Sequence, residues 1–289
     1  RGGERSDLEV SDVNQIVSRM PMDEYRAIDA LNISRLKELQ RSPLHYVHRL
    51  AHPLVTAPLV LGSAAHCATL EPERFDRQYA VWTRRTDAGR MAPRNGQHWE
   101  RFQVEHAGKM FLTEDECDEA IAIASAVRAD PVAMRYLEAG EPEVTMTWEP
   151  GRKGRVDWLT TVGGKQVLVG LKTTRDCRHF IFGSQAAKLG YPLQWAWYHD
   201  GYAEIRGAAP LVVEIVVESA PPHAVAVYKI LEDIIEWGRL GYTDLLIQLE
   251  ECERDGKWPG PYTEEQVLTL PSWAYPLEAD DLAELELEQ

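Results

Sequence analysis

The stretch that most limits the fold is Gly154 to Thr174, GRVDWLTTVGGKQVLVGLKTT, where two runs rich in β-branched residues flank a Gly163-Gly164 pair. Such runs on either side of a Gly-Gly dipeptide predict a β-hairpin with a two-residue turn. A turn centred on that pair sets Thr160 opposite Val167, Trp158 opposite Val169 and Val156 opposite Leu171. This face is apolar and belongs on a core. Alternation along the strands puts Arg155 against Lys172 and Asp157 against Gly170 on the other face. A charged cluster behind a buried hairpin calls for a chemical reason.

A carboxylate and an ammonium projecting from adjacent strands can hold a divalent cation and steady an attacking water or a developing phosphate charge. Two carboxylates would do so better than one, and position 170, across from Asp157 and two residues before Lys172, is where the second would stand. The chain has glycine there. Inside a strand of Val and Leu, glycine costs backbone entropy and packs nothing, so on the residues alone it marks a bulge or a close backbone approach.

A chain of 289 residues with 44% hydrophobic content suits one large domain, or a domain with a helical subdomain. No apolar run is long enough for a membrane span and no signal-peptide pattern opens the sequence, so the expectation is a soluble, cytoplasmic protein with no membrane association. Cys67, Cys117, Cys177 and Cys252 lie far apart without a C-x-x-C pair, which signals neither a zinc site nor a disulfide framework. The net charge of −15 conflicts at first sight with phosphate binding. Its distribution removes the conflict. Positions 150–190 hold eight basic and two acidic residues, a balance of +6, whereas 229–289 hold four basic and sixteen acidic, a balance of −12. An acidic body with one basic region steers phosphate to a single place.

Along the chain, residues 1–31 have weak periodicity and are expected as an extension or arm. Ser34 and Ser42-Pro43 predict two helix starts, and Pro53 and Pro58 a short connection. Leu59 to Leu70 predicts a helix with small residues around His66, a lone histidine that the residues alone assign to the core. Positions 71–109 are expected to be irregular. Their Arg84, Arg85, Arg90 and Arg94, with Trp82 and Trp99, either contact a phosphate backbone and stack on bases or form a solvated loop over two core tryptophans. Thr113, with Glu116 in capping-box spacing, opens a helix to Arg128. Glu143 to Trp148 alternates as a strand leading into the hairpin, with Glu143 on the Asp157 side. A helix is expected at 175–188 and another after Pro192, with Gln194 and Tyr198 four apart on one face. Strands at 211–218 and 224–228, a helix at 229–253 and an acidic tail complete the reading.

The spacing D157-x12-G170-L-K172, with the flanking text LVGLKTTRDCRHF and YPLQWAWYHDGY, resembles the PD-(D/E)xK nuclease core in its RecE-type branch, the exonuclease VIII family. The resemblance runs from Ile33 to Trp273, and it breaks at one place: the branch would read D-L-K where this chain reads G-L-K. It implies an α/β fold, a central mixed sheet flanked by helices with a helical N-terminal portion, and a nuclease domain over 32–275 followed by an acidic tail over 276–289. It implies that Asp157, Lys172, Gln194 and Tyr198 act on the substrate. G-x-x-x-H followed by L-E-P resembles the family's first motif, so His66 joins Asp157, the expected acid at position 170 and the Leu171 carbonyl around Mg2+, with Mn2+ as an alternative. Glu143, which strand alternation and not the resemblance places near Asp157, is expected as a structural or auxiliary acid. Arg84, Arg85, Arg90, Arg94, Arg152, Lys153, Arg175 and Arg178 are expected on the DNA path. The implied activity is exonucleolytic, 5′ to 3′, on linear double-stranded DNA. It serves recombination by single-strand annealing, in a homo-oligomer, commonly a tetrameric ring, with an annealing protein of the RecT type. With Gly170 in place of aspartate the chain is expected to be weak or inactive. The alternatives are a DNA-binding relative whose site has decayed, an active enzyme in which Glu143 substitutes, and a glycine introduced deliberately.

Overall fold

The computed structural model describes residues 14–52 and 57–270. Its strands are β1 (Gln15–Val17), β2 (Leu31–Asn32), β3 (Tyr79–Trp82), β4 (Met110–Thr113), β5 (Glu141–Trp148), β6 (Arg152–Val162), β7 (Lys165–Thr174), β8 (Leu211–Glu218) and β9 (Val225–Ile230). The helices are α1 (Met22–Ala27), α2 (Ile33–Leu36), α3 (Pro43–Ala51), α4 (Ala57–Leu70), α5 (Phe75–Gln78), α6 (Gly96–Glu105), α7 (Glu114–Ala129), α8 (Pro131–Leu137), α9 (His179–Lys188), α10 (Tyr191–Arg206) and α11 (Glu232–Asp255). The main sheet runs β1-β5-β6-β7-β8-β9 with β2 alongside β6. It is mixed: β7 and β8 are parallel, joined by the α9–α10 crossover, while the hairpins β5-β6, β6-β7 and β8-β9 are antiparallel. This is the α/β architecture expected.

The turn between β6 and β7 forms because Gly163 and Gly164 both take positive φ, 59° and 77°, as a tight hairpin turn matching strand twist requires. The register holds from Val162↔Lys165 to Trp158↔Val169. The backbone ladder stops there. The pairs expected beyond it, Asp157 with Gly170 and Arg155 with Lys172, are replaced by a side-chain link, in which the Leu171 N–H donates to Asp157 Oδ2 at 2.8 Å. Across β6 the facing residue Glu143 is itself at φ 51°, so the strand is irregular on both sides of Asp157.

Both faces of the sheet are covered. Val167, Val169 and Leu171 of β7 and Val213, Ile215 and Val217 of β8 join Ala64, Ile123 and Val127 in a core under α4 and α7. Leu168, Val212 and Val216 join Trp195, Trp197 and Ile235 in a second core under α10 and α11. Val156 packs in this second core, on the opposite face from Leu171, which corrects the one-sided hairpin expected. The face carrying Gly170 and Lys172 is therefore a buried layer roofed by α10.

Several local expectations change. Residues 15–31, expected in an arm, supply β1, α1 and the first residue of β2, and both strands pair within the main sheet. The cap of α2 is Asn32, whose side chain accepts from the Arg35 N–H, in place of Ser34. Ser42 does cap α3, and Thr113 with Glu116 forms the capping box. Pro58 lies inside the first turn of α4, while Pro53 lies outside the described residues. The region 71–109 is not wholly irregular: it contains β3 and α6, whose Trp82, Trp99 and Phe102 pack edge-on and stacked around one another and against Phe111 of β4. Trp82 is buried and donates to the Ala92 carbonyl, so it is a core tryptophan and no platform for bases. The acidic tail lies outside the described residues.

Candidate active site

Four elements meet over the β6-β7 strands. α4 brings His66 Nδ1 to 3.8 Å from Asp157 Oδ1, and β7 brings Lys172 Nζ to 3.7 Å from Asp157 Oδ2. The three residues expected to converge from distant parts of the chain do so. The Lys172 ammonium also lies 3.4 Å from the Leu171 carbonyl, which the His66 ring faces. From α10, Gln194 Nε2 donates to the Tyr198 hydroxyl at 3.2 Å. Both residues line, with Asp157, Gly170, Lys172 and Glu214, a cavity of about 20 Å³, room for roughly one water.

Glu214 was not foreseen. It lies in the middle of β8, pairs with Gly170 in the parallel ladder, and is 1% exposed. A Cβ added at Gly170 would meet its carboxylate: Oε1 closest, Oε2 at 2.6 Å and Cδ at 2.7 Å. Glycine at 170 is thus a close approach, but of a side chain where another backbone was expected. The Trp195 indole N–H donates to Oε2. Oε1 has no hydrogen-bond partner and lies 3.5 Å from Lys172 Nζ. A sequence signal existed: a lone Glu at the centre of LVVEIVVE is a charge in an otherwise apolar strand.

The electrostatics follow from burial and this pairing. Burial pushes the Asp157 carboxyl up, but Lys172, His66 and the Leu171 N–H outweigh it and hold the group below its ordinary value. Burial lowers Lys172, yet Glu214 and Asp157 raise it by more, so it stays an ammonium. His66 is lowered by burial against the pull of Asp157 and is neutral imidazole near neutral pH. Glu214 is raised, by burial first and by Asp157, with Lys172 and Trp195 opposing. Glu143 is raised by burial and by Asp157 while its carboxylate bonds to Arg155. It lies near Asp157 as expected, but as Arg155's partner, with Arg155 also donating to the Met20 carbonyl at 2.7 Å.

The residues fit a hard divalent cation. Asp157 and Glu214 offer carboxylates, Leu171 a carbonyl and His66 a neutral nitrogen, and Glu214 Oε1 is a buried acceptor with no hydrogen bond, ion-paired among the described residues with Lys172 alone. Among the described residues no three such side chains are gathered tightly enough to chelate an ion as they stand. The Lys172 ammonium stands between the two carboxylates as the cation of the site.

Of the residues expected on the DNA path, Arg84, Arg90, Arg175 and Arg178 are exposed. Arg85 pairs with Glu114, Arg94 with Glu116 while lying over Trp99, and Arg178 with Asp176. Arg152 lies over Trp197. Lys153 is the exception: it is 1% exposed and its ammonium donates to the Tyr25 and Ile28 carbonyls at 2.8 and 2.7 Å. It ties β6 to the segment before β2 and has no surface to offer phosphate.

The family model described as a PDDEXK-like domain of unknown function (DUF3799) matches residues 32–267. A crystal structure from Eubacterium rectale, provisionally named an exonuclease, superposes with a TM-score of 0.60 at 13% identity, over 88% of this chain and 96% of that one. SSO0001 aligns over 74% of this chain and 84% of its own at 14% identity, with a TM-score of only 0.27. A search of curated proteins finds no match. With the family model spanning most of the sequence and the paired β6-β7 strands carrying Asp157 and Lys172, the chain belongs to the PDDEXK-like domain family and has the nuclease fold that name denotes.

Proposed function

We propose that this protein is a divalent-cation-dependent exodeoxyribonuclease acting on linear double-stranded DNA. The observation that carries the reading is the meeting of His66, Asp157 and Lys172, from α4, β6 and β7, under the Gln194–Tyr198 pair. A bound Mg2+ or Mn2+ supplies Lewis acidity toward a phosphoryl oxygen and lowers the pKa of a water. The chain's own residues do the rest. Asp157, ionised and oriented by the Leu171 N–H, is an oxygen donor fixed in place. Lys172 keeps its proton and offers positive charge to a phosphodiester in the transition state. Burial holds the Tyr198 hydroxyl above its ordinary value, so it remains a hydrogen-bond donor toward the strand, steadied by Gln194. Arg84, Arg90, Arg175 and Arg178 lead DNA toward the cavity. Exonuclease specificity, 5′ to 3′ polarity, a ring-shaped homo-oligomer and a single-strand annealing partner belong to this proposal through the RecE-type resemblance.

A second reading, a DNA-binding relative impaired in cleavage, is favoured by one observation: Gly170 brings no carboxylate of its own. The test is digestion of the same duplex in linear and covalently closed form with Mg2+, with and without chelator. The expected result is loss of the linear form alone, abolished by chelator. Binding of linear duplex without digestion would favour the second reading, and equal attack on both forms would refute the exonuclease assignment.

A further inference from the structure

We propose that Glu214, reaching across from β8, is the second carboxylate of the metal-binding site and occupies the place that an aspartate at position 170 would fill; this rests on the nuclease reading above. The geometry is specific. By standard bond lengths an aspartate's carboxylate oxygens lie ~2.4 Å from its own Cβ. The Glu214 oxygens fall about as close to the Cβ that position 170 lacks, with Oε2 at 2.6 Å. The Glu214 oxygens therefore fall in the space beside position 170, but the group arrives from the opposite side: its Cδ, at 2.7 Å, lies farther from that Cβ than its oxygens do, as expected of a longer side chain reaching in from the neighbouring strand. Gly170 is what lets it in, since any side chain there would collide with it.

The surroundings separate a built donor from an accidental charge. A carboxylate 1% exposed in a Val- and Ile-rich strand is costly unless its oxygens are engaged. Oε2 is engaged by the Trp195 indole, which fixes the carboxylate's orientation. Oε1 is buried, makes no hydrogen bond, and faces Lys172, the ammonium that Asp157 also faces. One oxygen is held by a neutral donor, and the other, among the described residues, meets only the Lys172 ammonium that Asp157 shares, in an ion pair without a hydrogen bond, which leaves its lone pairs facing the place where a cation would sit. The glycine and the glutamate then form one device. The sequence "G-L-K" is neither a lost site nor a bulge, but one half of a carboxylate moved by one strand.

The test measures Mn2+ and Mg2+ binding by calorimetry, with DNA cleavage as a second readout. It compares the full chain with Asp157→Asn, Glu214→Gln and the relocating double variant Gly170→Asp/Glu214→Val. Glu214→Gln keeps the shape and removes the charge, so it should weaken metal binding by about tenfold or more, as Asp157→Asn does. The double variant should bind metal within ~3-fold of the unsubstituted chain, because it returns the carboxylate to β7. That arm remains decisive if Glu214→Gln fails to fold. Binding lost in Asp157→Asn but unchanged in Glu214→Gln would overturn the role of Glu214 and leave the nuclease reading standing. No binding to the unsubstituted chain would overturn both.

Discussion

Gly170 and Glu214 are the residues on which the chemistry of this chain turns, and they can be understood only as a pair. Read alone, Gly170 suggests a site that has lost an acid and that Gly170→Asp would repair at little cost. The Glu214 carboxylate removes that expectation, because a side chain at 170 meets it at 2.7 Å or less. Gly170→Ala should therefore destabilise the protein by ~1–3 kcal/mol, the usual cost of overpacking a fixed core. The same change made in a Glu214→Ala background should cost little. Urea denaturation of the four proteins gives the coupling directly. Independent, additive effects would mean that the carboxylate does not occupy the space over Gly170.

At the scale of elements, the site depends on the placement of α10, which brings Gln194, Trp195 and Tyr198 over β7 and β8. α10 is fixed to α11 through Asp200. Its carboxylate accepts two bonds from the Arg239 guanidinium, both 2.7 Å, one from the Tyr242 hydroxyl at 2.6 Å, and pairs with His199 at 2.8 Å. Burial acts to raise the Asp200 carboxyl, but these partners prevail and hold it well below the carboxylate range. A depressed acid pKa stabilises the fold above the unfolded value, near pH 4, and that contribution is lost as pH falls through the lower folded value. Asp200→Asn should cost ~2–3 kcal/mol at neutral pH. Its deficit should shrink progressively below about pH 4, as Asp200 of the unfolded chain takes up a proton, and vanish only below the lower folded value, where the ion pair itself is lost. A deficit that stays constant across an acid titration of stability would show that the ionised Asp200–Arg239 pair is not what holds the two helices.

At the scale of the whole molecule, what the sequence revealed was what is encoded locally. The β6-β7 turn was legible because two adjacent glycines with positive φ dictate it, and the α7 capping box because its partners lie three residues apart. The meeting of His66 with Asp157 followed from the family resemblance and not from periodicity, since a histidine on an apolar helix has no local mark of its destination. Glu214 escaped because the β7-β8 register is set across the α9–α10 crossover, so no turn announces that Glu214 falls beside Gly170. Lys153 resembles a phosphate contact in sequence because its partners, the Tyr25 and Ile28 carbonyls, come from a segment whose place in the fold has no periodic signal. If the β6-β7 strands carry a working phosphodiesterase site, digestion of an end-labelled linear duplex with Mg2+ separates the unsubstituted chain from Asp157→Asn at matched concentration and matched folding. The expected result is degradation by the former and a rate lower by about a hundredfold or more in the latter; equal rates in the two proteins, or no degradation by either, would contradict it.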